Sequence, residues 1–321
     1  MIKKAPIIFS PYLKPVVWGG EKICKIKGIS QEVPNIGESW EISALTGYES
    51  TVVDGDYKGK NLQELVDTFG EELLGKNVIE KYGKIFPLLI KFIDANQNLS
   101  VQVHPDDRLA KERHGSLGKS EMWYIIEAEK DAKIISGMKS EISLQEFEGK
   151  VNDGTFIDSL AIHESQPGDV FFLPAGRVHS IGAGNFLTEI QESSDITYRI
   201  YDYNRKDSAG NPRELHTAQA KEAIDYSVSD NYKSHFLDEN QDITELVNCE
   251  HFKTKKIKVN GKKDLVLDNS SFLALICVKG DVDISCEEGD CKLSAGHTAL
   301  IPASVTNISL DGQATLLSAG V

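Results

Sequence analysis

The sequence predicts a mainly β protein with short helical additions. Short apolar runs that end at Gly or Pro recur along the 321 residues, whereas segments with helical spacing are few. Many short strands separated by turn residues are typical of β-sandwiches and barrels. Because 40% of the residues are hydrophobic, the chain can bury a substantial core, which we expect to be shared between one large and one small domain.

The N-terminal third combines strands with one helical region. Up to about residue 57, the segments "VVWGG", "GESWEIS" and "STVVDGDY" read as short strands. From Asn61 to Tyr82 the apolar residues recur at helical intervals. The stretch "FPLLIKFIDANQNLSVQVHPDD" predicts two strands separated by a turn, and a short charged helix follows from Arg108 to Arg113.

Later segments return to strands. "MWYIIEA", "VFFL" and "FLTEIQESSDITYRIYDY" have β-rich composition, while "SLQEFEGKVNDGTFIDSLA" and "LHTAQAKEAIDY" predict short helices. The polar stretch from Ser229 to Asp242 is the best candidate for a linker, and the sequence after it is strand-rich. We therefore predict a larger domain over residues 1–240 and a smaller one over residues 241–321.

Charge and cysteine content restrict the partners and the compartment. Lys and Arg number 35 against 49 Asp and Glu, a net charge of −14, which disfavours nucleic acid and anionic membranes as partners. An anionic substrate would therefore need a local cluster of positive charge. No apolar run resembles a signal peptide or a membrane span, and five cysteines without a CxxC pair predict reduced thiols in a cytoplasm.

A short internal repeat narrows the fold. "GDVFFLPAGRVHS" (168–180) is echoed by "GHTALIPASVTNIS" (296–309) at the same spacing. The matched positions are Gly168 and Gly296, Pro174 and Pro302, Gly176 and Ser304, and His179 and Asn307. The pattern G-x5-P-x-G-x2-H is typical of the second half of a cupin, a small jelly-roll barrel. The repeat therefore predicts two cupin barrels, an N-terminal one that binds metal and a C-terminal degenerate one that has lost the histidine.

Four polar residues are predicted to converge as metal ligands from separate strands. Gln102 and His104 are two residues apart, so on a strand both side chains point to the same face. Glu121 opens the next apolar strand, and His179 follows the later one. Two imidazoles, one carboxylate and one amide oxygen suit Zn²⁺ and also accept Mn²⁺, Fe²⁺ or Co²⁺.

Each of these residues also has a plainer interpretation. A histidine before proline is commonly a turn residue, a glutamine on a strand commonly faces solvent, and a single glutamate is unremarkable. Their joint placement, where a cupin would hold its ligands, favours the metal site. Cys286 and Cys291 lie close together but lack two further ligands nearby. Four other histidines show no ligand-like spacing, namely His163, His235, His251 and His297, whereas His216 is ambiguous.

Longer motifs identify a family resemblance. "NLSVQVHPDD", "GKSEMWYII", "FFLPAGRVHSIGAGNFLTEIQESSDITYRIYDYNR" and "GNPRELHTAQA" together resemble the short bacterial form of class I mannose-6-phosphate isomerase. The resemblance starts near "YLKPVVWGG" and runs in order through essentially the whole chain. It implies a zinc-dependent isomerase with one ion per chain, which interconverts mannose 6-phosphate and fructose 6-phosphate through a cis-enediol.

The resemblance also implies roles for individual residues. Gln102, His104, Glu121 and His179 match the metal ligands of the family, and Arg199 matches its catalytic-site arginine. Lys119 and Glu189 match polar residues that line the same pocket, while Ser100 and Lys91 match positions near the pocket or its phosphate end. Isomerisation requires a proton carrier that reaches both carbons, and the candidates are Glu189, Lys119, a metal-bound water and a route assisted by Arg199. Arg199 and Lys119 could hold the phosphate.

Two other functions stay open from the residues alone. One is a cupin metalloenzyme that acts on another sugar or uses O₂; the other is a non-catalytic protein that binds a sugar phosphate around a structural metal. An O₂-using enzyme would depend on Fe²⁺, and a binding protein would not need a proton-transfer group. The sequence does not distinguish a monomer from a homodimer.

Overall fold

Antiparallel strands dominate the structure, a computed structural model that describes residues 1–30, 33–206, 210–234 and 241–321. Short helices lie between the strands, which confirms the mainly β class with helical additions. The strands are β1 (Ile7–Ser10), β2 (Tyr12–Gly20), β3 (Ile36–Ile42), β4 (Thr51–Val52), β5 (Leu88–Ala95), β6 (Val101–Val103), β7 (Glu121–Ala128), β8 (Lys133–Met138), β9 (Leu160–Glu164), β10 (Val170–Leu173), β11 (His179–Ile181), β12 (Asn185–Glu192), β13 (Tyr198–Tyr201), β14 (Ile243–Asn248), β15 (Lys253–Val266), β16 (Leu273–Ser285), β17 (Asp290–Ser294), β18 (Thr298–Ile301) and β19 (Asn307–Gly320).

The helices are short and fall mostly in the connections between strands. They are α1 (Lys22–Lys27), α2 (Leu62–Phe69), α3 (Glu71–Leu74), α4 (Lys76–Tyr82), α5 (Asp107–His114), α6 (Leu144–Asp153) and α7 (Thr217–Ala223), with 3₁₀ turns at Gly55–Tyr57 and Phe156–Ser159. Among the described residues, no helix has the length and apolar character needed to cross a membrane.

Two sheets face each other and share a core. The first contains the strands β10-β7-β12-β5-β3-β2 in that order, and the second β13-β6-β11-β8-β9. Trp123 and Leu187 of the first sheet and Ile134 and Ile181 of the second belong to one buried apolar cluster. The packing therefore sets polar residues of β5, β7 and β12 opposite those of β6, β11 and β13 at one end of the sandwich.

A third sheet joins the two ends of the sequence. Its order is β14-β15-β19-β16-β18-β1-β4, with β17 paired to β16. The N-terminal strand enters it because β1 pairs with β18, where Ile7 lies opposite Leu300. Part of the predicted linker, together with the boundary at residue 240, falls on residues 235–240, which lie outside the described ranges. The division into domains at that point, and the closure of each unit into a barrel, stay predictions.

The internal repeat is also present in three dimensions. Gly168 and Gly296 have φ values of 92° and 84°, and each precedes a four-residue strand, β10 or β18. Strands β11 and β19 then begin at the equivalent residues His179 and Asn307. His179 is only 1% exposed, whereas the Asn307 side chain is exposed and donates to the hydroxyl of its neighbour. The two copies therefore share a backbone path but only the first buries a metal-binding type of residue.

The helical region predicted over residues 61–82 consists of three short helices, α2, α3 and α4. It begins with a capping box, in which the Asn61 side chain accepts from the Glu64 backbone N–H and the Glu64 carboxylate accepts from that of Asn61. Gly70 and Gly75, with φ values of 48° and 91°, then separate α2, α3 and α4. A Cβ at Gly75 would lie 2.4 Å from the carbonyl oxygen of Ser270, so this close contact requires glycine.

A buried aromatic pair lies where the segment after these helices meets the third sheet. Phe272 is 1% exposed, and its ring centroid lies 4.5 Å from that of Phe86. Its backbone N–H also donates to the Leu74 carbonyl at 3.0 Å. Phe272 therefore joins the helical region to the sheet that begins at β14.

We expect Phe272→Ala to lower the free energy of unfolding by about 3–5 kcal/mol, because a buried aromatic ring is removed and leaves a cavity. Urea unfolding followed by circular dichroism measures the change. Val266→Thr is the control, since Val266 is 85% exposed and the substitution keeps a β-branched side chain. Equal effects of the two substitutions would contradict the assigned packing.

Candidate metal centre and active site

The four predicted metal ligands come together between the two facing sheets. Gln102 lies on β6, with His104 just after it, and His179 pairs directly with Gln102 in the neighbouring strand β11. Glu121 is the first residue of β7 in the opposite sheet, facing Leu173 across the strand pair. The strand ends therefore deliver these side chains from both sheets to one point.

The distances fit ligands that share one ion. Nε2 of His179 is 3.4 Å from Oε1 of Glu121, and Nε2 of His104 is 3.6 Å from Oε2 of the same carboxylate. One ligand atom from each of these three residues lies within 4.8 Å of the others. Atoms that each bind a small divalent ion at about 2.0–2.2 Å lie about 3.0–3.5 Å from one another, so modest contraction would close the set.

The backbone fixes the tautomers of both histidines. Nδ1 of His104 is 2.8 Å from the Ile196 carbonyl oxygen, and Nδ1 of His179 is 2.8 Å from that of Arg177. A carbonyl oxygen only accepts, so each Nδ1 carries the hydrogen and each Nε2 presents its lone pair to the cluster. Burial also lowers the pKa of His179 to about 3, and it holds the pKa of His104 well below its usual value. Both rings are therefore neutral, as metal ligands must be.

Glu121 supplies the observation that tests the fit of a cation. Its side chain is completely buried, and its Oε1 has no hydrogen-bond partner among the described residues. Burial, and then the nearby Glu189 carboxylate, raise the pKa of Glu121. A buried carboxylate oxygen that faces a neutral imidazole lone pair is satisfied by a positive ion and by little else. The residues present therefore fit a divalent metal.

Lys119 places an ammonium group inside the same cluster. Its Nζ is 3.1 Å from Nε2 of His104, and it donates a hydrogen bond to Oε2 of Glu121. The same Nζ is 3.8 Å from Oε1 of Glu189. A metal held by His104 and Glu121 would compete with Lys119 for their lone pairs, which would leave Glu189 as the carboxylate partner of this lysine.

Gln102 differs in one respect from the predicted ligand. Its amide nitrogen, not its oxygen, faces Nε2 of His179 at 3.3 Å, while its oxygen accepts from the Ser100 hydroxyl at 3.1 Å. Rotation of the amide by half a turn would exchange the two atoms. Ser100 is buried and acts on Gln102 through this hydrogen bond, besides lining the neighbouring cavity.

Glu189 lies on the central strand β12 of the first sheet, between a cationic and an aromatic side chain. Its direct neighbours in the register are Lys91 on β5 and Trp123 on β7. Lys91 Nζ and Trp123 Nε1 each donate to it at 2.9 Å. Burial opposes ionisation of Glu189, but the Lys119 and Lys91 ammonium groups outweigh it and lower its pKa. Glu189 is therefore held as a carboxylate.

The ammonium group of Lys91 lies close to two carboxylates. Its Nζ is 2.9 Å from Glu189 and 3.8 Å from Glu38. Burial favours the neutral amine, yet Glu189 and Glu38 raise the pKa of Lys91 and keep it protonated. A cation with two carboxylate partners is poorly suited to serve as the main counter-charge for a phosphate dianion.

A cavity of about 330 Å³ opens beside the cluster. Its wall contains the predicted residues Lys91, Ser100, Gln102, Lys119, Glu189 and Arg199. Residues not selected from the sequence complete it: Lys14, Trp18, Glu38, Trp40, Asp195, Thr197 and Arg213. Trp18 and Trp40 are largely buried and present only part of their rings to the cavity. Arg213 is the fourth residue of the quoted motif "GNPRELHTAQA". Its positive charge within that motif could have indicated a second residue for binding an anion.

Arg199 lines this cavity with a guanidinium group that is only partly hydrogen-bonded. Its Nη1 donates to the Glu214 carbonyl at 2.9 Å, while its Nε is buried and has no hydrogen-bond partner in the described part of the chain. Burial, and then the neighbouring Arg213, lower the pKa of Arg199. Arg213 itself donates to Asp202 at 3.1 Å. Two guanidinium groups close enough to repel each other on one cavity wall favour an anionic ligand.

Comparisons with known proteins agree with this site. Residues 8–130 match the model of the phosphomannose isomerase type I catalytic domain, and residues 242–320 match that of the mannose-6-phosphate isomerase cupin domain. The chain is 35% identical to mannose-6-phosphate isomerase ManA of Bacillus subtilis, over 96% of both chains. It is 32% identical to the mannose-6-phosphate isomerase of Streptococcus mutans, over 98% of this chain and 97% of the other.

The fold agrees as well. The crystal structure of the mannose 6-phosphate isomerase from Bacillus subtilis superposes with a TM-score of 0.90 at 35% identity, covering 99% of this chain and all of that one. The fold and site define a cupin-related metalloenzyme. The chain belongs to the type I mannose-6-phosphate isomerase family, whose members are metal-dependent, which confirms the predicted family.

We expect Glu121→Gln to weaken metal binding by at least about tenfold, because even the loss of a group that only supports a ligand has an effect of that size. Metal per chain after dialysis, measured by elemental analysis, reports the change. Glu189→Gln is the matched control, since it removes another buried carboxylate of the same pocket that lies outside the ligand cluster. Equal metal loss in both variants would contradict Glu121 as a ligand.

Proposed function

We propose that this chain interconverts mannose 6-phosphate and fructose 6-phosphate with Zn²⁺ as its native ion. The observation that carries the proposal is a cavity that reaches the His–Glu–His cluster through Gln102 and Lys119 and contains both a carboxylate held in its ionised form and two adjacent guanidinium groups. A volume of about 330 Å³ lies at the lower end of the range for small-molecule sites, about 300–1,000 Å³.

The proposed metal ligands are His104, Glu121, His179 and, after rotation of its amide, Gln102. When bound, the ion supplies a Lewis acid for the negative charge that develops on the sugar oxygens. The backbone carbonyls of Ile196 and Arg177 orient the two imidazoles, and after rotation of the Gln102 amide the Ser100 hydroxyl would accept from its nitrogen instead of donating to its oxygen. Zn²⁺ is proposed because the set joins two imidazole nitrogens to a carboxylate.

Glu189 is proposed as the proton carrier between C1 and C2. Its flanking ammonium groups favour the carboxylate, so it enters the reaction as a base and takes the proton next to the carbonyl carbon. This gives the cis-enediol once the carbonyl oxygen has gained a proton; return of the carbon-bound proton to the neighbouring carbon, with loss of the proton from the hydroxyl on the first carbon, completes the change from aldose to ketose. Lys119, at 3.8 Å from Oε1, can stabilise the charge on Glu189 before and after the transfer.

Arg199 is proposed to bind the phosphate, with help from Arg213. A guanidinium fork matches two phosphate oxygens, and Arg199 and Arg213 both line the cavity. Thr197 lies on the same wall and offers a hydroxyl. Lys91, in contrast, is proposed to position Glu189, since its charge is already countered by two carboxylates.

The direct test is conversion of mannose 6-phosphate to fructose 6-phosphate before chelation, after chelation and after Zn²⁺ is restored. We expect activity to disappear with the metal and to return with Zn²⁺. Substitution of Mn²⁺ or Co²⁺ for Zn²⁺ in the last step compares the candidate ions. A metal-loaded protein without isomerase activity would overturn the proposal and would direct the search to other phosphosugars or to O₂ chemistry.

We expect Arg199→Ala to keep its metal and to lose about a hundred- to a thousand-fold in kcat/KM, as do enzymes that lose one preorganised charge-stabilising group. Arg108→Ala is the matched control, because the Arg108 side chain is 75% exposed on helix α5 and lies away from the cavity. Elemental analysis of the same samples separates metal loss from loss of turnover. Full activity in Arg199→Ala would show that this residue is misplaced in the proposal.

The free cysteines among the described residues support a reducing, cytoplasmic location, which we propose for this chain.

A further inference from the structure

A second polar cluster lies outside the active-site cavity, where separate parts of the chain meet. Asp107 comes from the first turn of α5, Glu192 ends β12, and His251 lies between β14 and β15. Nδ1 of His251 is 3.0 Å from Oε1 of Glu192 and 3.8 Å from Oδ2 of Asp107. One ligand-type atom from each of the three residues lies within 4.8 Å of the others.

Buried polar atoms without hydrogen-bond partners concentrate at this cluster. Glu192 is 99% buried, and its Oε1 has no hydrogen-bond partner within the described ranges. The same holds for Nδ1 of His251 and for the hydroxyl of Tyr82, a group whose pKa is raised by burial and by the nearby carboxylates of Glu192 and Asp107. Such groups are costly to leave unpaired, and here several of them point to one place.

Nδ1 of His251 and Oε1 of Glu192 are only 3.0 Å apart, yet neither atom has a hydrogen-bond partner within the described ranges. An imidazolium ion that simply paired with the carboxylate would align its N–H with the oxygen. Two ligand atoms on one small divalent ion, each about 2.0–2.2 Å from it, lie about 3.0–3.5 Å apart without any such alignment. The observed contact has the second kind of geometry.

We propose that Asp107, Glu192 and His251 form a second divalent-cation site, separate from the one beside the cavity. Two carboxylates and one imidazole make a harder set of ligands than the His–Glu–His cluster, and they suit Mn²⁺ or Zn²⁺. The positive charge of the neighbouring Lys81 would repel a cation at this site. Its ammonium group, however, contacts the backbone carbonyl and the carboxylate of Glu250.

The remaining oxygens of the two carboxylates show what such an ion would hold in place. Oδ1 of Asp107 accepts from the Gly118 backbone N–H at 2.8 Å, and Oε2 of Glu192 accepts from that of Ser120 at 2.7 Å. Lys119 lies between the two donors Gly118 and Ser120, and Glu121 follows Ser120 directly. The second ion would therefore tie the turn between β14 and β15 to the segment that carries two residues of the active site.

The test is the number of ions that the metal-free protein binds, titrated with MnCl₂ and followed by the electron paramagnetic resonance signal of free Mn²⁺. We expect two ions per chain in the wild type and one in His251→Gln. The double variant Glu121→Gln/His251→Gln should lose tight binding altogether, whereas Glu121→Gln alone should keep the ion at the second site. His297→Gln, which removes a histidine elsewhere in the third-sheet region, should still bind two.

Asp107→Asn tests the same site if His251→Gln does not fold. The Asp107 side chain is 49% exposed, so this substitution is the less disruptive of the two. It should also reduce the count to one. A single ion in the wild type at millimolar Mn²⁺ would show that His251 and Glu192 form only an ion pair, and it would overturn the proposal. Two ions retained in both single variants would overturn it equally.

Discussion

The demand of one buried carboxylate for a positive charge organises the centre of this protein. Glu121 is removed from water, one of its oxygens has no donor, and two imidazole lone pairs lie against it. An isolated charge in such a place would be very unfavourable, so the surrounding residues must supply a cation or neutralise the group. Lys119 meets part of the demand from within the chain, and a divalent ion meets it more completely.

The sandwich of two sheets makes this arrangement rigid. The four proposed metal ligands and Glu189 lie on a strand or within one residue of a strand end, and the strands are fixed by their register. Glu189 is set opposite Lys91 by the pairing of β12 with β5, and His179 opposite Gln102 by the pairing of β11 with β6. A shift of one residue in either register would move these side chains to the other face of the sheet. The apolar core between the sheets thus also determines the position of the catalytic groups.

Local sequence patterns predicted the parts of the site that depend on spacing. Gln102 and His104 follow from the two-residue period of a strand, and His179 from its place in the repeated turn. The network of Glu38, Lys91 and Glu189 did not follow, because it depends on which strands become neighbours and in what register. The orientation of the Gln102 amide and the contact of Lys119 with His104 are likewise products of packing. In the helical region, the apolar period continues across Gly70 and Gly75, so the period alone concealed two breaks in the backbone.

The pairing of β1 with β18 has a consequence for how the molecule assembles. Ile7 and Leu300 lie opposite each other in this strand pair, although nearly the whole chain separates them in sequence. Closing so long a loop costs conformational entropy before any contact is gained, and folds rich in distant pairings form slowly. During synthesis on the ribosome, β1 would emerge long before β18 exists. The edge of β1 that later pairs with β18 therefore stays without its partner strand until the end of the chain arrives.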